Sequence, residues 1–499
     1  MKQRNVAESN SRSSRPIIVW FRRDLRADDQ AALWHAAQEN VPIVCLFIAD
    51  QDLIAELPSD GAAFNFQAAC LQDLDARLRL LGNQLIIRYG RPDDVLEQLF
   101  RELRPIALYY NRDYEPYARE RDARAERLAQ SFDVEARSFK DHVLVEPWEL
   151  ATKAGTPYTV FGHFYRAWAR QSKAPPYGIP KHLPTVPGLT SEPLPTAERL
   201  KKSVTISRWA VEPGSGAAHS QWEQFRDSAL RHYKQRRDFP AHDEGSSRLS
   251  PHLRFGTISI RRIYADAVAL IEDPSLDVTE RASAEQFIAE LAWREFFQHV
   301  LWHFPQTVQQ SFQAWGDAFP WENREEYFHA WCEGRTGYPL VDAAMRELNT
   351  TGYMHNRARM VVASFLVKDL HIDWRWGERY FRSKLLDGEL AANVGNWQWS
   401  ASVGVDARPL RIFNPILQSR RYDPDGTYLR RWLPELQRLP AEHIHDPWSM
   451  SPLEQEHHGL RIGVDYPRLI VNHMERKRRF EEIYRQLTRS ERSRMSRPR

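Results

Sequence analysis

The chain has 499 residues, 42% of them hydrophobic and 27% charged, with a formal net charge of +3. That length allows two or more domains with large cores, and the near-neutral balance means that any nucleic-acid surface must be a local patch, not a global excess. No run of 18 apolar residues is present, so no transmembrane helix is expected, and the three scattered cysteines (Cys45, Cys70, Cys332) argue against a disulfide framework or zinc cluster and fit a reducing cytoplasm.

Residues 1–15, MKQRNVAESNSRSSR, are polar with no apolar h-region and read as a disordered tail of a protein that is not secreted. Residues 16–140 then alternate. IIVWF (17–21), IVCLFIA (43–49), QLIIRYG (84–90) and IALYYN (106–111) are short β-branched apolar runs, and DQAALWHAAQEN, FNFQAACLQDLDARLRLLG and DDVLEQLFREL between them carry helical patterns. This alternation predicts a doubly wound parallel sheet with helices on both faces, an α/β domain. No GxGxxG follows the first run and no GxxxxGK[ST] occurs, so dinucleotide and P-loop sites are unsupported.

Residues 141–214 read as an interdomain linker, with seven prolines between Pro175 and Pro195 making part of it extended and semi-rigid. From 215 to 487 strand alternation disappears, and segments such as ASAEQFIAELAWREFFQHVLW and NRARMVVASFLVKDL have helical periodicity, predicting an all-α domain. Most of the 17 tryptophans lie after residue 290. Residues 488–499, TRSERSRMSRPR, form a basic tail.

Several segments hold candidate chemistry. In AELAWREFF, Glu290, Trp293 and Arg294 stand at i, i+3 and i+4, so one helix face carries a carboxylate, an indole and a guanidinium. In HNRARM, Asn356 and Met360 share a face with Arg357 beside them. GSSRLSPHLRFG (245–256) offers three serine hydroxyls near two arginines, suited to a pyrophosphate or simply a Ser-rich turn. In NVGNWQWSASVG, Trp397 and Trp399 share one face if the segment is a strand. If it is helical they lie roughly 200° apart and see different surroundings. The histidines of EHIHDPWSMSPLEQEHH match no metal-ligand spacing.

WFRRDLR, SSRLSPHLRFG, WREFF, TGYPLVDAAMRELNTTGYMHNRARM, FLVKDL, DGELAAN, NWQWSAS, RIFNP and RRWLPEL, in this order, resemble the cryptochrome/photolyase family from about Ile17 to Leu487, and are most similar to bacterial class I cyclobutane pyrimidine dimer photolyases. The resemblance implies a carbon–carbon lyase that repairs pyrimidine dimers in UV-damaged DNA by electron transfer from photoexcited reduced FAD to a flipped-out dimer. It implies an all-α FAD-binding domain and a second, antenna chromophore at the α/β domain. NRDYEPYARERD (111–122) is similar to 8-hydroxy-5-deazaflavin binders, and the Asn-Glu pair usual in folate binders is replaced by Tyr117-Ala118. FMN and methenyltetrahydrofolate are the alternatives. A monomer without membrane attachment is implied.

By the same resemblance Tyr233, Ser246, Ser247, Arg248, Leu249 and Ser250 hold the FAD phosphates and ribose, with Arg294 a further cofactor-side arginine. Arg359 and Asp387 form a salt bridge beside the isoalloxazine, Gly388 and Glu389 complete that segment, and Asn393 stands opposite flavin N5. Trp397, Trp374 and Trp321 match the proximal, middle and outer members of an electron-transfer relay, while Trp399 and Trp293 match the indoles that cradle the two bases. Glu290 matches the acid that hydrogen-bonds the dimer, Asn356 and Met360 match dimer contacts, and Arg237, Arg357 and Arg411 match groups near the DNA backbone. Asp-Gly-Glu at 387–389 replaces the usual Asp-Gly-Asp, Phe287 stands where relatives often carry Trp, and Val394 and Asn396 replace the commoner Asn and Gly. The alternatives are a cryptochrome-type blue-light receptor, which usually carries Asp or Cys at the Asn393 position, and a (6-4) photolyase, which usually has paired histidines where Tyr353-Met354-His355-Asn356 stand here.

Overall fold

The computed structural model describes residues 15–56, 59–406 and 410–495, so the expected tail at 1–15 lies outside them except for Arg15, whose Nε donates to the Arg104 carbonyl at 2.6 Å. Five strands, β1 (Ile17–Phe21), β2 (Ile43–Asp50), β3 (Leu85–Gly90), β4 (Ala107–Asn111) and β5 (Glu135–Phe139), form one parallel sheet in the order β3-β2-β1-β4-β5. The sheet is doubly wound because alternate residues feed two separate cores. Ile17, Val19, Cys45, Phe47 and Tyr109 meet helices Ala31–Gln38 and Gly61–Leu80, whereas Ile18, Trp20, Val44, Leu46 and Tyr110 meet Pro92–Leu103 and Pro116–Ser131. β5, EARSF, has no apolar run, since an edge strand is only half buried.

The order of connections reverses between β1 and β4, which opens a crevice beyond their carboxyl ends, the usual ligand position in such sheets. The loops there are tied by buried charge. Asn111 and Gln30 amides donate to Asp24 at 2.7 Å, and Asp141 receives both Arg26 and Arg261 at 2.7 Å, the second from the helical domain. Burial works against ionised Asp141, but the two guanidiniums outweigh it and hold its carboxyl below the ordinary range.

The stretch 141–214 is not a uniform linker. Its first part includes the helix Phe161–Arg170, whose Phe164 and Trp168 stand at i, i+4 and are buried against Phe296 and Phe297 of the helical domain. Its proline-rich part runs as a strap along the sheet. The amide of Ile43 donates to Pro184 O at 2.7 Å, and the amide of Glu192 to Ile87 O at 3.1 Å, so the exposed edge of β3 is covered.

The second domain is helical. Its longest element, Val278–His303, starts in an Asp277/Glu280 capping box and spans about 39 Å at 1.5 Å per residue. The helix Leu390–Ser400 crosses it so closely that a Cβ on Gly395 would lie 2.1 Å from the Phe297 ring. The expected basic tail begins as helix, because His473–Met495 continues past residue 488, and residues 496–499 lie outside the described part.

Candidate active site

Two adjoining chambers of about 450 and 220 Å³ open between Val278–His303, Asn356–Lys368 and Leu390–Ser400, and both are lined by Ser250, Tyr353, Asn356, Arg359, Met360, Asp387, Ala392 and Asn396. Ligand sites typically measure roughly 300–1,000 Å³. The larger chamber collects Tyr233, Arg237, Ser246, Ser247, Arg248, Leu249, Glu290, Trp293, Arg294, Trp399 and Arg411 from segments far apart in the chain. The smaller adds Asn393 and Trp397.

The residues expected around a flavin converge here. Arg359 grips Asp387 through two bonds of 2.8 and 3.1 Å, and Ser250 Oγ donates to the same carboxylate at 2.5 Å. Arg248 adopts φ +50°, which turns the Ser246-Ser247 segment around the cavity, and its guanidinium is held by Asp243 at 2.6 Å. The Asn393 amide nitrogen donates to Glu378 O and Oε1, both at 3.0 Å, so its carbonyl oxygen is the group left to accept a proton donor from the chamber. Burial pushes Glu378 above the ordinary carboxylate range. Arg294 Nε is buried on the chamber wall with no partner among the described residues, as expected of a wall awaiting a polar ligand. The donor set, hydroxyls and guanidiniums at one end and a single amide acceptor at the other, fits a dinucleotide with a redox-active ring.

The other wall carries the residues expected to meet a dimer. Glu290 receives the Arg237 guanidinium and the Gln286 amide, the latter at 2.9 Å. Trp293 lies flat on Phe161, with ring centroids 3.7 Å apart and planes 9° apart. Trp399 projects into the larger chamber with Arg411 over its ring at 5.5 Å. Asn356 and Met360 line both chambers. Arg357 does not line them; it pairs with Asp238 at 2.8 Å and packs over Tyr422. His355 caps the same helix by accepting from Arg357 N at 3.1 Å, and burial pushes it down to about 4, so it is neutral.

The segment carrying Trp397 and Trp399 is helical, and the two indoles diverge. Trp397 is buried against Phe381 and Trp331, with Gly377 so close that a Cβ there would meet its ring at 2.1 Å. Trp397 and Trp374 are buried in one aromatic core, and Trp321, partly exposed, packs against it. Trp374 Nε1 donates to Ser311 Oγ at 3.2 Å, and Trp321 Nε1 to Gly316 O at 3.1 Å.

One expected flavin contact, Gly388, is placed away from the flavin-side chambers, and another, Glu389, is shared between two cavities. Gly388 lines a third chamber, of about 340 Å³, at the β1/β4 switch point, together with Trp20, Phe47, Asp50, Tyr117 and Arg121. Glu389 lines this chamber as well as the flavin-side one, and its Oε1 accepts from Arg23, His142, Gln298 and Arg294, so the longer carboxylate is spent on a junction between domains. Phe287 packs face to face with Trp222 at 5.5 Å on the chamber wall. Asn396 Nδ2 bonds the Ala392 carbonyl of its own helix, and buried Val394 faces away from the chambers. Sequence reading missed Phe161, Glu378, Gln286 and His142. Phe161, Phe164, Tyr165 and Trp168 at i, i+3, i+4 and i+7 carried a helical signal and Gln286 stands one turn before Glu290, whereas Glu378 and His142 act through partners distant in sequence.

No group of three or more His, Cys, Asp or Glu among the described residues could hold a metal ion, and none of the described helices is long and apolar enough to cross a membrane. The family model described as the FAD binding domain of DNA photolyase matches residues 287–486, and that described as DNA photolyase matches residues 17–186. A deoxyribodipyrimidine photo-lyase of Synechococcus sp. is 41% identical, covering 95% of this chain and 97% of the relative. A cryptochrome DASH of Gloeobacter violaceus is 35% identical over 95% and 96% of the two chains. The crystal structure of a class III photolyase from Agrobacterium tumefaciens superposes with a TM-score of 0.88 at 35% identity, covering 95% of this chain and 98% of that one.

Proposed function

The chain belongs to the DNA photolyase family, and from that premise we infer that it is a flavin-dependent lyase that uses light to split cyclobutane pyrimidine dimers in DNA. The observation that carries this reading is the shared cavity, in which a cofactor wall (Asn393, Asp387–Arg359) and a lesion wall (Glu290, Trp293, Trp399) face one space.

When bound, reduced FAD supplies the light-released electron that opens the cyclobutane ring, and receives it back. The chain's residues prepare that transfer. Ser246, Ser247, Arg248 and Ser250 offer donors for the phosphates, and Tyr233 and Leu249 pack beside them. The Asp387–Arg359 pair and the Asn393 carbonyl orient the ring without adding net charge. Trp293 and Trp399 replace the stacking that a base loses on leaving the duplex. Glu290, oriented by Arg237, accepts from the imide N–H groups of the bases and so fixes the dimer, while the Arg237 guanidinium supplies positive charge beside the place where the electron arrives. Arg237, Arg357 and Arg411 position the phosphate backbone and carry no sequence information. Trp397, Trp374 and Trp321 form a relay from the cavity to the surface that reduces an oxidised cofactor in light.

The chamber at the switch point is assigned to an antenna chromophore, with 8-hydroxy-5-deazaflavin favoured. Its floor is aromatic (Trp20, Phe47, Phe64), and Tyr117, bonded to Asp50 at 2.7 Å, stands where a folate site would carry an amide. The three free, buried cysteines fit a reducing compartment such as the cytoplasm, and the protein is taken to act as a monomer. The domain limits adopted are 16–140 for the antenna domain, 141–214 for the connection and 215–487 for the helical domain.

The test is irradiation of reduced, FAD-loaded protein with DNA carrying either cyclobutane dimers or (6-4) products. Loss of the cyclobutane dimers alone supports the reading. Light-driven cofactor reduction without loss of either lesion would assign a receptor instead.

A further inference from the structure

Residues 387–390 form the partition between the switch-point chamber and the flavin-side chambers. Asp387 faces the flavin side, Gly388 and Leu390 face the switch-point chamber, and Glu389 lines both. The Glu389 side chain is 7% exposed, and its Oε1 accepts from His142 Nε2 at 2.6 Å, Gln298 Nε2 at 2.7 Å, Arg23 Nη2 at 2.8 Å and Arg294 Nη2 at 3.2 Å. These donors come from the loop after β1, the loop after β5 and one face of Val278–His303.

Arg23 and Arg294 each have a second attachment. Arg23 Nη1 reaches Glu115 at 2.7 Å and Asp113 at 3.4 Å, both on the wall of the switch-point chamber. Arg294 lines the flavin-side chamber and donates to the His142 carbonyl at 2.7 Å. A continuous charged chain therefore runs from Glu115 through Arg23 and Glu389 to Arg294, from one chamber wall to the other. Burial disfavours the Glu389 anion, but Arg294, His142 and Arg23 outweigh it, so the carboxylate stays ionised. His142 is pushed down to about 4 by burial, with Arg294 adding to the effect, and is neutral at working pH. An aspartate would be shorter by one methylene, about 1.5 Å, and could not hold all four donors from the N-cap of Leu390–Ser400.

We propose that Glu389 couples the two chambers, so that a planar chromophore in the switch-point chamber and FAD bind cooperatively. The proposal rests on the reading that this chamber takes such a chromophore. Occupation fixes Glu115 and Arg23. Through Glu389 this fixes Arg294 and the partition, and FAD then binds walls that are already ordered. Couplings of this kind typically change affinity 5- to 150-fold, and they are reciprocal.

The test titrates flavin-free full-length protein with FAD, with and without saturating 8-hydroxy-5-deazariboflavin, following fluorescence quenching. For the unaltered chain we expect the FAD Kd to fall about tenfold when the chamber is filled, and the deazariboflavin Kd to fall by the same factor when FAD is present. Glu389→Gln and Glu389→Asp should bring that factor close to one, and Arg23→Lys should reduce it by breaking the same chain from the other side. Equal affinities with and without deazariboflavin in the unaltered chain, or an undiminished factor in all three variants, overturn the coupling. If neither deazariboflavin nor FMN enters the chamber, the antenna reading falls and the coupling with it.

Discussion

The amide of Asn393 is pinned to Glu378 by two bonds of 3.0 Å, one to the backbone carbonyl and one to the carboxyl, so the side chain cannot turn its NH2 toward the cavity. Glu378 is almost fully buried and its carboxyl is pushed upward by that burial, which favours the neutral acid. The pair thus presents a fixed acceptor to the cavity.

Glu378→Gln keeps an acceptor in place and should leave FAD content and the rate of air oxidation of the reduced protein unchanged. Glu378→Ala removes the carboxyl bond and leaves the amide held only by the backbone carbonyl of residue 378, so it turns more easily. Losing one oriented hydrogen bond, worth about 1 kcal/mol, should speed air oxidation several-fold, as read from the flavin absorbance after reductant is removed.

Trp397 is 2% exposed within the aromatic core, whereas Trp399 opens to the larger chamber. Trp397→Phe should abolish light-driven reduction of oxidised protein and leave dimer repair intact once the protein is reduced chemically. Repair lost even in chemically reduced Trp397→Phe would sink the division of labour between the two indoles.

Trp399→Ala should weaken binding to dimer-containing DNA by roughly 1–3 kcal/mol, the usual worth of one base–aromatic stack. Phe161 does not line the chamber but lies flat behind Trp293, so Phe161→Ala should produce a smaller loss by letting that indole tilt. Affinities on damaged and undamaged DNA check that both effects lie at the lesion, because neither change should alter binding to undamaged duplex.

His252 is completely buried behind the serine segment, its Nδ1 paired with Thr257 Oγ1 at 2.8 Å, and burial pushes it down to about 4. The folded state therefore holds it neutral, while the unfolded chain takes up a proton near pH 6.5. Stability linked to this residue is fully present above about pH 6.5 and is lost as pH falls toward 4. Compared with the unaltered chain, His252→Gln should flatten the dependence in that window by one proton, about 1.4 kcal/mol per pH unit, measured by urea denaturation from pH 7 to 4.

Legibility in the sequence followed distance along the chain. β1 to β4 were readable because their apolar runs are buried on both faces, and β1 matched to the residue. β5 was not, since EARSF sits at an edge and keeps charged residues on its exposed positions. The helix holding Phe161, Phe164 and Trp168 went unread because it lies in a stretch taken as linker with the prolines that follow, although Phe161, Phe164, Tyr165 and Trp168 stand at i, i+3, i+4 and i+7, a helical apolar face. The site residues were legible as a set of motifs, but the sequence did not show that Gly388 faces the switch-point chamber or that Glu389 lines both chambers.

By itself the sequence determined the element types, the two-domain layout and the five tryptophans at their spacings, because side-chain periodicity and motif order are local properties of the chain. Only the tertiary structure decided that Trp399 opens to the larger chamber while Trp397 packs into the aromatic core, that Phe161 backs Trp293, and that Glu389 gathers Arg23, His142, Arg294 and Gln298. Those relations depend on how the long helix, the partition and the β1 loop pack together, and a carboxylate's partners are set by which donors that packing brings within about 3 Å, a distance that no sequence window contains.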